Sequence, residues 1–379
     1  MHFFSFLPIL FLSPTAHART STTVVPPGPA NEASTVNWIS GRAGFDGPKV
    51  TPINAITWTD WYFEAIESPP TPGTGGGAAE YASIVVAFYT ATPDGFDLLA
   101  GFADAGYTSL TLAEAEVTWR NGTTQTFLFN ATEATIGVLG DGASGVFPGD
   151  DGNWASFAGA SDLSVYRVDL KAPGIEGSMT LRSTAPAHYP CGRAEPGQNL
   201  QIAPHIGWAN AVPDAEATVE FIVNGQRFEF TGIGYHDQNF GSASLAANVG
   251  SWYWGNGRVG AYSVVWYDLL TPTGQNTVSA YVARDGEILV AQCSGLAVRP
   301  YGENATYPPL MSTGNPTGFT ITVELPDETV RLTATGGYVT AGGWENAPYT
   351  RWAGTLEGRI GGEDLEGMAI FEEFKFRTE

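Results

Sequence analysis

Histidine and cysteine are scarce in this chain, with five of the first and two of the second among 379 residues. No HExxH, no CxxC and no histidine pair at ligand spacing occurs, which removes the familiar transition-metal signatures. A GxSxG elbow and a phosphate-binding P-loop are missing too. Basic residues are outnumbered 17 to 39, for a formal net charge of −22. A polyanion of that size repels phosphate backbones and anionic membrane surfaces, so nucleic acid is a poor partner. Apolar residues at i, i+3, i+4, i+7 are nowhere sustained, so helices should be few. No internal run reaches the roughly 18 apolar residues of a spanning helix, so stable membrane insertion is not expected. Acidic residues are plentiful, and spacing alone leaves a glycosidase-like carboxylate pair open.

What the chain does contain is turn chemistry. Its 47 glycines and 25 prolines are spread along the whole length, as many turns between short strands require. The clearest strand pattern is ATVEFIVNGQRFEF. Val219, Phe221 and Val223 alternate with Thr218, Glu220 and Ile222 up to Asn224-Gly225; Phe228 and Phe230 then alternate with Arg227 and Glu229. Alternation flanking an Asn-Gly pair predicts a hairpin. Asp285-Gly286 and Asn121-Gly122 repeat the pattern. A short helix is expected around Leu112 to Glu116. The length exceeds a single core, so the prediction is an all-β protein of two tandem barrels or sandwiches. Residues 36–205 form the N-terminal domain and 213–379 the C-terminal barrel, joined between His205 and Pro213. Gly73-x-Gly75-x-x-Ala78 formally matches a dinucleotide fingerprint, but prolines precede it and a β-like run follows, so it reads as a loop.

Residues 1–18 read as a secretory signal: Phe3 to Leu12 is apolar, and Ala16-His17-Ala18 fits the cleavage pattern. Residues 19–35 are polar and proline-rich, a poorly ordered lead-in. The sequons at Asn121, Asn130 and Asn304 fit a secreted or lumenal chain. Cys191 and Cys293 are either one disulfide between the two domains or two buried thiols.

Two segments concentrate aromatic residues beside polar ones. TWTDWYFEAI places Trp58, Asp60, Tyr62 and Glu64 on one strand face, and Trp61, Phe63 and Ala65 on the other. The acidic face is either an exposed strand edge or a pocket wall holding an oriented acid. GIGYHDQNFG crowds Tyr235, His236, Asp237, Gln238 and Asn239 together, and Trp252, Trp254, Tyr262 and Trp266 follow. Tryptophans at alternate positions line either a core or a pocket. Buried indole N–H groups need acceptors, which the polar run upstream can supply.

WYFEAI, GSMTLRSTAPAHYPCG (Gly177 to Gly192), GIGYHDQNFG, WYWGNGRVGAYSVVWYD and TRWAGTLEGRIGGEDLEGMAIFEEF (Thr350 to Phe374), in that order, resemble the fungal Diels–Alderases that form decalins and cytochalasan macrocycles. That family is related to bacterial carotenoid hydratases of the hydroxyneurosporene synthase type. The likeness runs from about Asn37 to the C-terminus. It implies two lipocalin-like domains, no cofactor, and an intramolecular [4+2] cycloaddition of a linear polyene bearing a tetramic acid or pyrrolone. Carried over by motif, Tyr62, Glu64, His236, Asp237 and Asn239 are the catalytic candidates. Trp58, Trp252, Trp254, Tyr262 and Trp266 are the wall. Glu64 stands where the family often has Asp. A cycloaddition needs a flexible chain folded so that its reacting ends meet, which a shaped apolar pocket provides. Hydrogen bonds to an activating carbonyl lower the barrier further. Two other activities fit the same pocket: a hydratase, which needs Glu64 or Asp237 as proton donor, and a polyene carrier.

Overall fold

The computed structural model describes residues 20–68 and 81–378. The expected signal segment 1–18 and the Gly73-x-Gly75-x-x-Ala78 match lie outside them. The described chain forms two large curled half-barrel sheets of antiparallel strands, two lipocalin-like β domains. Asn224-Gly225 and Asp285-Gly286 take positive φ at both positions, the twist that tight hairpins demand. At Asn121-Gly122 only the glycine does.

In the first sheet the strands Ile206–Val223, Gln226–Gly241, Trp58–Glu67, Ser83–Thr90 and Thr111–Thr118 lie side by side. In the second, Tyr262–Leu270, Ser251–Val259, Glu363–Lys375 and Tyr349–Ile360 do. Each sheet has two apolar faces. One fills the interior of its own half-barrel, with Phe63, Phe88 and Phe157 in the first and Trp266, Phe319 and Phe371 in the second. The other faces meet in a third cluster that includes Trp58, Trp208, Trp252 and Tyr267. Full burial of such side chains stabilises by roughly 1.5–3 kcal/mol each, so this shared face is a major part of what holds the halves together.

Three expectations are corrected. The joint between domains does not fall at 205–213. His205 to Pro213 runs into the strand Ile206–Val223, paired to Gln226–Gly241 across register shifts between Ala209 and Ala215. A strand tolerates Pro213 at such an irregularity, where a ladder partner is already missing. Both strands belong to the first sheet, and the chain crosses to the second between Gly241 and Ser251, through the short helix Leu245–Asn248. The lead-in is not without structure: Thr20–Val25, rich in β-branched residues, pairs with Ala134–Leu139 at the sheet edge. The segment Leu112–Glu116 is part of the strand Thr111–Thr118, not a helix. Neighbours on both sides impose period-two alternation there, and a short helix lies instead just upstream at Leu99–Asp104.

Cys191 and Cys293 form a disulfide, Cα atoms 4.6 Å apart and 102 residues apart in sequence. It ties the connection after His188–Tyr189 to the end of Glu287–Gln292 in the second sheet. A second link is electrostatic: Arg258 of the second sheet grips Asp214 of the first at 2.7–3.1 Å.

Candidate active site

Strand alternation builds the site from both sides. On Trp58–Glu67, Trp61, Phe63 and Ala65 enter the first core, leaving Asp60, Tyr62 and Glu64 to face the second sheet. Register sets their neighbours. Asp60 stands between Asn239 and Tyr89, Tyr62 between Asp237 and Ala87, and Glu64 between Tyr235 and Val85. Glu114 and Glu116 continue the last two rows on Thr111–Thr118. Opposite, one row of the second sheet is Tyr267, Trp254, Glu372 and Arg351, and the next is Leu269, Trp252, Phe374 and Tyr349. The cleft between these rows encloses about 470 Å³ of space free of atoms, its open side included, and Phe96 and Leu98 border it.

Aromatic rings and acids share the lining. Trp254 stands edge-on to both Tyr62 and Tyr235, at 5.6 and 5.2 Å between ring centres. Asp60, Glu64, Glu114, Glu116, Asp237 and Glu372 are all buried around one buried cation, Arg351. One guanidinium cannot balance so many charges in a medium this dry, so some of the acids hold their protons. Arg351 is ion-paired to Glu116, with Tyr62 and Tyr349 rings beside it.

The hydrogen bonds sort the acids. Asp237 accepts from Trp208 Nε1 at 2.7 Å, the Tyr235 hydroxyl at 2.6 Å and Asn239 Nδ2 at 3.0 Å. Burial pushes its carboxyl up, but those donors limit the rise to about 6. Glu372 accepts from Trp252 Nε1 at 2.9 Å and the Tyr349 hydroxyl at 2.7 Å, and burial lifts it to about 7. Glu64 accepts from the Tyr62 hydroxyl and Asn256 Nδ2, and burial takes it to about 8. Glu114 accepts from the Tyr89 hydroxyl at 2.8 Å. Asp60 differs. Burial, then the charges of Asp237 and Glu372, push it well above the usual carboxylate range, and its Oδ1 has no partner among the described residues. The hydroxyl of Tyr267, also in the lining, has none either.

Of the residues expected from sequence, Tyr62, Asp237, Asn239, Trp252 and Trp254 line this cleft together. Glu64 lies behind Tyr62, bonded to its hydroxyl. His236 does not join them. One position from Asp237 on an extended strand, it points into the first core, stacked on Phe63 at 3.8 Å and bonded to Asp46 at 3.0 Å. Trp266 and Tyr262 point the same way in the second half, into its own core. Trp58 packs on Phe96 beneath the cleft and donates to the Ala243 carbonyl. Asn121, Asn130 and Asn304 are exposed.

Sequence reading put Asp60 on a candidate pocket wall without singling it out, and missed Tyr89, Tyr267, Tyr349, Arg351 and Glu372 as lining residues. A signal existed for two of them: Arg351 and Glu372 are charges set among aromatic and apolar residues in YTRWA and MAIFEEF, and charges in such company rarely go inward without a task. Among the described residues no three His, Cys, Asp or Glu are placed to hold a metal ion, and no helix is long and apolar enough to cross a membrane.

A family model described as Diels-Alderase-like matches residues 32–299. The quinolone epoxide rearrangement protein penF of Penicillium thymicola is 34% identical over 91% of this chain and 93% of its own length. The quinolone epoxide rearrangement protein asqO of Emericella nidulans is 35% identical over 91% of each chain. The crystal structure of CghA with Sch210972 superposes with a TM-score of 0.71 at 18% identity, covering 93% of this chain and 98% of that one, a likeness of fold.

Proposed function

The chain belongs to the Diels-Alderase-like family and is an enzyme of the cyclase and rearrangement kind, and we propose that it rearranges an epoxide carried on a quinolone-type small molecule. The observation that carries this reading is the crowd of buried acids against aromatic walls. An epoxide opens when its oxygen gains a proton, and burial keeps carboxyl groups protonated near neutrality. Positive charge developing on carbon is stabilised by aromatic faces. A cleft that excludes water favours rearrangement over hydrolysis to a diol. A concerted cycloaddition needs none of these acids, whereas burying them costs stability. The extent of likeness to penF and asqO supports the same choice.

The test is incubation of purified protein with a quinolone epoxide, followed by mass-resolved chromatography. Conversion to an isomer of unchanged mass, faster than in buffer, is expected. A product that has gained water, or no product, overturns the reading.

The second reading is an intramolecular [4+2] cycloaddition of a linear polyene polyketide–amino acid hybrid, leading to a decalin or cytochalasan-type macrocycle. The family description and the tryptophan wall favour it. Conversion of such a polyene with altered diastereomer ratio would select it. For location we propose the secretory pathway, a reading supported by the Cys191–Cys293 disulfide and the exposed sequons.

A further inference from the structure

We propose that Asp60 is the proton donor to the substrate's epoxide oxygen, an assignment that rests on the rearrangement reading above. Three independent features single it out. It lines the cleft while only 6% exposed. Its Oδ1 has no hydrogen-bond partner among the described residues, so one face of the carboxyl is left for a ligand. The other two acids in the lining, Asp237 and Glu372, have both oxygens occupied by donors. A carboxyl whose two oxygens already hold indole N–H, phenol O–H or amide donors has no free face to turn toward a substrate and is poorly placed to give a proton away.

The groups facing Asp60 explain why it stays neutral. Asp237 and Asn239 lie on one neighbouring strand and Tyr89 on the other, and Glu372 and Tyr267 come from the opposite sheet. Two of these are carboxylates and none is a cation. Burial and the like charges raise Asp60, while the Asn239 amide pulls weakly the other way. Paired carboxyls driven apart in this manner divide acid and anion roles.

In the step, the Asp60 O–H bond breaks and its proton goes to the epoxide oxygen. The C–O bond opens with its electron pair on that oxygen, leaving a hydroxyl and an electron-poor carbon. A neighbouring substituent shifts to that carbon with its bonding pair. The hydroxyl oxygen then forms the carbonyl and returns its proton to the Asp60 carboxylate. Substrate and product are isomers, and the enzyme ends as it began.

The experiment compares wild type, Asp60→Asn and Asp60→Glu with a quinolone epoxide across pH, folding being checked by near-ultraviolet circular dichroism. In the wild type, kcat should fall as pH rises through the donor's pKa. Asp60→Asn should lower kcat at least about 10²-fold with KM little changed, abolishing that limb. Asp60→Glu, which restores a proton, should recover part of kcat and the limb. A folded Asp60→Asn with kcat near wild type overturns the assignment and leaves the rearrangement reading standing. If Asp60→Asn does not fold, a wild-type and Asp60→Glu pair with identical, pH-independent kcat overturns it equally. A wild type that leaves the epoxide untouched defeats the rearrangement reading and the assignment together.

Discussion

Trp254 stands edge-on against Tyr62, ring planes at 83°, and this contact joins one sheet to the other across the cleft. The indole therefore shapes the cavity and braces the halves at once. Trp266 has the same chemistry twelve residues on but lies in the second core, against Gly255 and away from the cleft.

The two residues should therefore fail differently. Trp254→Ala widens the cavity and should change the distribution of products as well as slow the reaction. Trp266→Ala should lose roughly 3–5 kcal/mol of stability and leave the product pattern alone. Thermal melts beside product analysis check this; a changed pattern only in Trp266→Ala would put the wall elsewhere.

Stability should fall as pH rises from about 6 to about 8. Folding raises Glu64 from 4.5 to about 8, and Glu372 and Glu373 from 4.5 to about 7. Protons held in the native state are absent from the unfolded chain in that window, so each unit of pH favours unfolding. His188, lowered from 6.5 to about 4, acts on the other side and costs stability as pH drops below 6.5. Melting temperatures across this range test the sign, and a rise between 6 and 8 would contradict it.

Arg351→Met should cost about 3–5 kcal/mol, because it strands Glu116 as a buried unpaired acid. Adding Glu116→Gln should recover part of the loss. A double-mutant cycle in urea measures the coupling; strictly additive effects would mean the pair carries no shared energy.

Reducing the Cys191–Cys293 bond releases a loop with a sequence separation of 102, worth roughly 4–5 kcal/mol by chain entropy. The melting temperature should drop, while turnover well below it persists. Non-reducing peptide maps should show the linked pair, and two alkylatable thiols would remove the claim.

Protein made in a eukaryotic host should start near Arg19 and carry glycan on at least one of Asn121, Asn130 and Asn304. Intact mass before and after glycosidase decides. An unprocessed, unmodified chain ends the secretory proposal.

Much of this arrangement was written in local pattern. The face shared by Asp60, Tyr62 and Glu64 follows from period-two alternation, as do the hairpins at Asn224-Gly225 and Asp285-Gly286. The same rule, applied to GIGYHDQNFG, separates His236 from Asp237; density of polar residues obscured it. Nothing local tells which tryptophan faces which neighbour, so Trp252 and Trp266 look alike until the sheets are stacked. Arg351 and Glu372 come within reach of Tyr62 only because the two sheets stack face to face, bringing together residues 289 positions apart in the case of Arg351. Pro213 misled because a register shift in the ladder, invisible in sequence, accommodates it.

The two walls of the cleft are contributed by separate stretches of chain. Residues 60–64, 89–116 and 235–239 supply one, and residues 252–374 supply the other. A chimera that keeps the first 241 residues and takes its remainder from a relative would retain Asp60 and Asp237 while exchanging Trp252, Trp254, Arg351 and Glu372 as a block. The carboxyl of Asp60 and most of the tryptophan wall thus lie on separate stretches, and recombination at the Gly241–Ser251 crossing would exchange that wall as a unit and, through Glu372, retune the acid opposite.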